Sequence, residues 1–222
     1  MTFAVLPVKD PRRAKERLSG VLDPAEREAL ARAMFEAVLT ALQAAAGLDR
    51  ILVATSDAET AARARRAGAL VLEEQEQLGH SRSADAAARR AMELGAQTAL
   101  LLPIDAPLVR PEEIASLVSA PRPGVIIVPS RDGQGTNALV RTPPDAIPSC
   151  FGPDSFRRHA EEARRRGVAC EVRRPPGLLL DIDTPEDLAE LAARAPAGAP
   201  ILQCPALRRV ALAGEARWTS GS

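Results

Sequence analysis

Six short, continuous runs rich in Val, Ile and Leu constrain this chain more than any other feature: FAVLPV (3–8), RILVATS (50–56), ALVLEE (69–74), TALLLPID (98–105), GVIIVPS (124–130) and GLLLDID (177–183). They do not alternate apolar with polar, so both faces of each strand need cover. Amphipathic stretches lie between them and carry helix-start signals. Asp23-Pro24-Ala25-Glu26 reads as an N-cap, a first-turn proline and an N3 glutamate, and Thr184-Pro185-Glu186-Asp187 repeats that logic. Such alternation builds βαβ units, which predicts one α/β domain around a mostly parallel sheet.

Between about 130 and 175 the rhythm breaks. A Gly-rich turn (Arg131 to Gly135), a strand NALVRT, a Pro-rich link and a helix from 153 to 166 read as an insertion whose antiparallel excursion covers a site. Past residue 195 the chain turns rich in Pro, Ala and Gly. The expected organisation is therefore a domain over 1–195 and a loosely attached or disordered tail over 196–222.

Composition narrows the function. Lys and Arg together number 29, as do Asp and Glu, leaving no basic field for a nucleic-acid backbone. No apolar run reaches the roughly 18 residues that span a bilayer, and the N-terminal charges follow the apolar stretch, the reverse of a signal peptide. We expect a cytoplasmic protein with neither nucleic acid nor membrane as partner. Cys150, Cys170 and Cys204 are too far apart for CxxC-type zinc ligation and odd in number, and read as reduced thiols.

In an open parallel sheet, ligands bind beyond the carboxyl ends of the strands. After the first run come Lys9, Lys15 and Arg17, and the two lysines are the only ones in the chain. Where nearly every basic position is Arg, a retained Lys marks a place for a compact ammonium. Cations beside a helix start suit a triphosphate, although both the P-loop spacing and GxGxxG are missing. Asp105 ends the fourth run, and Asp181 and Asp183 end the sixth. Carboxylates at neighbouring strand ends suit a hard cation such as Mg²⁺ with open positions for phosphate oxygens. GQGTN (133–137), with the only asparagine at Asn137, and FGPDSF (151–156) supply N–H and hydroxyl donors for a small anion. His159 reads as a surface or packing residue and His80, in the polar loop GHSRS, as one that touches a nucleotide or solvent; neither is read as a proton carrier. SxxK, GxSxG and HExxH are absent, so covalent hydrolase chemistry has no equipment.

LPVK (6–9), AKERL (14–18), TSD (55–57), LPIDAPL (102–108), GQGTNAL (133–139), FGPDSFRRH (151–159) and PGLLLDIDTPEDL (176–188) together resemble the 2-phospho-L-lactate guanylyltransferases. Bacterial relatives of that family use phosphoenolpyruvate and serve coenzyme F-420 biosynthesis. The resemblance implies a Rossmann-like, GT-A-like three-layer nucleotidyltransferase fold with a small antiparallel insertion. It implies GTP and Mg²⁺ and a phosphorylated three-carbon acid as acceptor; the oligomeric state stays open, a homodimer being one option. By motif, Asp105 and Asp181 would hold the metal with Asp183 nearby. Lys9, Lys15, Arg17, Ser56 and Asp57 would face GTP, with Lys9, Lys15 and the two metal acids catalytic. Thr136, Asn137, Gly152 and Ser155 would hold the acceptor. LGHSRSA (78–84) stands where many members have GLN-A, leaving the guanine contacts open.

The chemistry fits the absence of a catalytic histidine. A phosphomonoester, with a second pKa of about 6, is already largely dianionic at neutral pH and needs no general base to attack a phosphorus. Three alternatives remain at this point: another small phosphorylated acceptor such as 3-phosphoglycerate, a glycosyltransferase using Asp181-Ile182-Asp183 as a DxD motif, and a GTP-binding homologue without catalysis.

Overall fold

The computed structural model describes residues 1–75, 79–120 and 122–210. Five of the six apolar runs become strands: β1 (Thr2–Pro7), β2 (Arg50–Thr55), β3 (Leu70–Glu73), β4 (Thr98–Leu101) and β5 (Gly124–Pro129). NALVRT lies in β6 (Thr136–Thr142), and Cys170–Val172 forms β7. The helices are α1 (Pro24–Ala44), α2 (Ala58–Arg66), α3 (His80–Glu93), α4 (Pro111–Val118), α5 (Ser155–Arg166) and α6 (Pro185–Arg194). Both sequence-predicted caps form. Asp23 accepts from the Glu26 N–H at 2.8 Å while Glu26 accepts from the Asp23 N–H at 3.0 Å, and Thr184 closes the same box with Asp187.

One seven-stranded sheet runs in the order β3-β2-β1-β4-β6-β5-β7. All pairs are parallel except those of β6, which runs antiparallel to both β4 and β5. The antiparallel element is thus not an excursion over the site but an internal strand, with Val140 opposite Leu100 on one side and Ile126 on the other. Successive side chains of a strand point to opposite faces. In β1, Phe3 and Val5 join the cluster under α3 and α5, while Ala4 and Leu6 join the one under α1, α2 and α4. This is the expected three-layer α/β arrangement. Among the described residues no helix is long and apolar enough to cross a membrane.

Two expectations are corrected. GLLLDID is not a strand: Pro176–Leu178 forms a single 3-10 turn and the remainder is irregular. Its backbone is held from several sides instead of by a ladder, because Gly177 N–H donates to Glu113 Oε1 at 2.9 Å and Leu179 accepts from Arg131 N–H at 3.0 Å. A Cβ on Gly177 would lie 2.5 Å from the Leu108 carbonyl, so only glycine fits this docking. Nor does the tail hang free where it is described. Ile201, Cys204, Ala206 and Leu207 are buried with Leu18, Leu22, Leu30 and Met34, and Arg209 pairs with Glu26 at 2.9 Å. The start of α1 and α6 leave an apolar surface here, and covering it with a side chain such as Leu or Ile contributes about 2 kcal/mol each. The rest of the expected tail, 211–222, lies outside the described residues.

Candidate active site

A cleft of about 1270 Å³ lies over the carboxyl ends of β1 and β4. The reversed direction of β6 matters here, because it brings that strand's first residues, Thr136 and Asn137, to the edge where its neighbours end. Lys9, Lys15, Arg17, Asp105, Thr136, Asn137, Gly152, Ser155, Asp181 and Asp183 all line the cleft, so the fold brings these sequence candidates together.

One wall is charged. Lys15 takes a left-handed conformation (φ 55°) just before a 3-10 turn at Glu16–Leu18, which turns its side chain inward until 6% of it is exposed. Its ammonium donates to Asp105 Oδ1 at 2.5 Å and to the Ile182 carbonyl at 2.7 Å, and reaches Asp183 Oδ1 at 3.5 Å. Burial works against the ammonium, but the charges of Asp105 and Asp183 outweigh it and raise its pKa above the ordinary lysine value. Asp105 shows the converse: desolvation by the surrounding cleft opposes charge, and Lys15 outweighs it and holds the carboxyl below the usual range. Arg17, exposed, reaches Asp183 at 3.2 Å.

The acids are not arranged as the sequence suggests. Asp105 follows β4, whereas Asp181 and Asp183 come from the docked loop, fastened to Asp105 by the Ile182 N–H donating to the Asp105 carbonyl at 3.0 Å. Among the described residues no three acidic, His or Cys side chains are already grouped as a ready metal cage, and the Lys15 ammonium sits between Asp105 and Asp183. Asp181 has the Asn137 amide at 3.4 Å and no ion pair among the described residues. Burial raises its pKa, and the like charges of Asp183 and Asp105 push the same way. Three carboxylates facing one cleft, one of them pushed toward neutrality by burial and further by the other two, fit a hard divalent cation.

The rest of the lining is richer in uncharged donors, among them Thr136, Asn137 and Ser155, with the carboxylates of Asp132 and Asp154 beside them. The Thr136 hydroxyl lies 3.0 Å from His159 Nδ1, and the Cys150 N–H donates to His159 Nε2 at 2.8 Å. Asn137 donates to the Leu178 carbonyl at 2.8 Å, and Ser155 opens α5. Between β5 and β6 the Ser130 hydroxyl donates to Asp132 at 2.5 Å and accepts from the Gly135 N–H at 2.6 Å, fixing the turn.

Ser56 and Asp57 are not among the residues that line the cleft. Asp57 caps α2, accepting from the Thr60 N–H at 2.8 Å and hydroxyl at 2.7 Å, and meets Arg32 at 3.3 Å, so its carboxylate is fully engaged. Sequence reasoning also left residues off the site. His80 lines the cleft, its ring edge-on to Phe151 at 4.7 Å, and burial drops its pKa to about 4. Behind the uncharged donors Arg141, 1% exposed, donates to Asp85 at 2.8 Å and to the Ile147 carbonyl at 2.6 Å, and Asp85 accepts from the Ser149 hydroxyl at 2.7 Å. The available signal was Arg141 itself, a charge inside an apolar strand that must be paired when buried.

A sheet of this order under a cleft with acids and cations is the architecture of nucleotidyltransferases. A nucleotidyl transferase from Methanothermobacter thermautotrophicus superposes with a TM-score of 0.61 at 18% identity, covering 86% of this chain and 95% of that one. A Mycobacterium tuberculosis protein solved as a complex with manganese gives 0.57 at 18% identity, over 87% and 98%. Within that class the chain belongs to the family described as Guanylyl transferase CofC like, whose model matches residues 2–196. It is 45% identical to the phosphoenolpyruvate guanylyltransferase of Rubrobacter xylanophilus, over 86% of this chain and 93% of that relative. The enzyme of the same name from Conexibacter woesei is 42% identical, over 86% of each. The 3-phospho-D-glycerate guanylyltransferase of Colwellia psychrerythraea is 38% identical, over 86% and 91%. It is thus a nucleotidyltransferase of the guanylyl-transferring kind.

Proposed function

We propose that this chain transfers a guanylyl group from GTP to phosphoenolpyruvate and releases pyrophosphate. An oxygen of the acceptor phosphate bonds to the α-phosphorus as the bond from that phosphorus to the pyrophosphate oxygen breaks. The observation that carries the reading is a single cleft lined both by cations with three carboxylates and by a cluster of uncharged donors. Lys9, Lys15 and Arg17 supply positive charge for the triphosphate and the leaving pyrophosphate. Thr136, Asn137, Ser155 and the backbone at Gly152 supply N–H and O–H groups for the acceptor. Asp105, Asp181 and Asp183 would hold Mg²⁺, which would neutralise phosphate charge; the manganese complex of the Mycobacterium tuberculosis neighbour supports a divalent ion in this fold. What remains for the protein is to bring two anions together, which is a task of positioning and charge. Phosphoenolpyruvate is preferred because the Rubrobacter xylanophilus and Conexibacter woesei relatives named for it are 45% and 42% identical, against 38% and 37% for the 3-phospho-D-glycerate and 2-phospho-L-lactate relatives.

The test offers each of the three acids in turn with GTP and follows pyrophosphate. Phosphoenolpyruvate should give the highest kcat/KM. Guanosine diphosphate release in place of pyrophosphate would mean transfer of the γ-phosphoryl group to the acid or to water and end the proposal.

A further inference from the structure

Both nitrogens of His159 are engaged, and their partners fix where its proton lies. An amide N–H can only donate, so the 2.8 Å contact from Cys150 makes Nε2 the lone-pair nitrogen. The ring is fully buried, and burial, aided by Arg141 and Arg158, lowers its pKa to about 4, so at neutral pH it carries one proton. That proton is on Nδ1, 3.0 Å from Thr136 Oγ1. A hydroxyl that accepts there keeps its own hydrogen for another partner. In the opposite tautomer the hydroxyl would spend its hydrogen on the ring and present only lone pairs to an incoming anion. Phe151 packs edge-on against the imidazole, 5.2 Å between centroids, and restrains its plane.

We propose that His159 is a positioning residue for the acceptor: its Nδ1–H commits the Thr136 hydroxyl to donate into the cleft, while its Nε2 anchors the backbone leading to Phe151 and Gly152. The inference rests on reading these donors as the acceptor site. The histidine touches no substrate and moves no proton. It acts by fixing which way one hydroxyl points.

Two variants separate the two bonds. In His159→Asn the side-chain amide keeps a donor near Thr136 but cannot reach Cys150; in His159→Gln a carbonyl oxygen can still accept from Cys150 and no donor faces Thr136. With GTP and phosphoenolpyruvate, His159→Gln should raise the acceptor KM about 10-fold or more, the worth of one hydrogen bond to a charged group. The KM for GTP should stay within about 2-fold, since one side chain's contact with one substrate is lost. His159→Asn should recover most of the acceptor KM. Thr136→Val should match or exceed His159→Gln, and the double variant should be no worse than Thr136→Val alone. An unchanged acceptor KM in His159→Gln, or fully multiplying effects, overturns the inference. The tautomer can also be read without turnover. The chain has two histidines, and a His80→Asn chain leaves one ring in a long-range proton–nitrogen-15 spectrum. A proton on Nδ1 is expected, and a proton on Nε2 overturns the inference whatever the enzyme does. A wild-type chain inactive with every acceptor overturns the acceptor reading whatever the ring shows.

Discussion

Lys15, Arg17, Asp105 and Asp183 on one wall of the cleft are joined by ion pairs, and Asp105 and Asp183 each keep at least 40% of the side chain open. Around Thr136, by contrast, His159 and Cys150 join in uncharged hydrogen bonds, with the ring at 0% exposure. The contrast follows from the tasks. A triphosphate and its leaving group bring and shift several charges, which ammonium and carboxylate groups held in place can offset. A small acid must be placed to a fraction of an ångström, which rigid neutral donors do at lower desolvation cost.

The largest effect should come from the charged wall. Asp105→Asn should cut kcat about 10³-fold, near 4 kcal/mol, while the far-UV circular dichroism of the folded chain is unchanged. Retained turnover would mean that the charge there is structural only, and the comparison would fail.

The uncharged cluster should instead reveal itself through pH. The His159 pKa of about 4 in the folded chain lies below the ordinary 6.5, so the unfolded chain binds the proton more readily. Stability from this residue is therefore complete above about pH 6.5 and is lost as pH falls toward 4, by roughly 3 kcal/mol in all. His80 is shifted the same way and adds a loss of the same sign. Denaturant titrations between pH 7 and 4 should show a shallower decline for His159→Asn than for wild type, and equal slopes would place the ring in a wetter setting than described.

The smallest effect is expected outside both regions. Asp57→Ala should cost about 1 kcal/mol through the lost α2 cap and leave the KM for GTP unchanged. A raised KM would extend the charged wall to β2 and blur the boundary drawn here.

Legibility in the sequence followed the range of the interactions. Asp23 and Thr184 cap their helices through groups three residues away, so local spacing was enough. The apolar runs gave five strands because each needs cover on both faces wherever it lies. GLLLDID misled for the same reason: it is as apolar as a strand, but its burial comes from distant partners such as Glu113, and composition cannot tell a docked loop from a ladder. Ser56 and Asp57 follow a parallel strand just as Asp105 does, yet Arg32 and Thr60 take up the Asp57 carboxylate. His159 read as a packing residue and is indeed buried. What the residue order could not reveal was that β6, expected to be antiparallel, would lie inside the sheet and place Thr136 against it.

The main-chain bond from Ile182 to Asp105 has a mechanical consequence. The acid after β4 and the acids flanking Ile182 do not ride on independently hinged segments, because the loop is clamped to the strand end and the Lys15 ammonium is sealed over that clamp. Prying the loop away ruptures the clamp and strips the ammonium of its carbonyl in one event, so this corner of the molecule should yield as a single cooperative unit and not by gradual fraying.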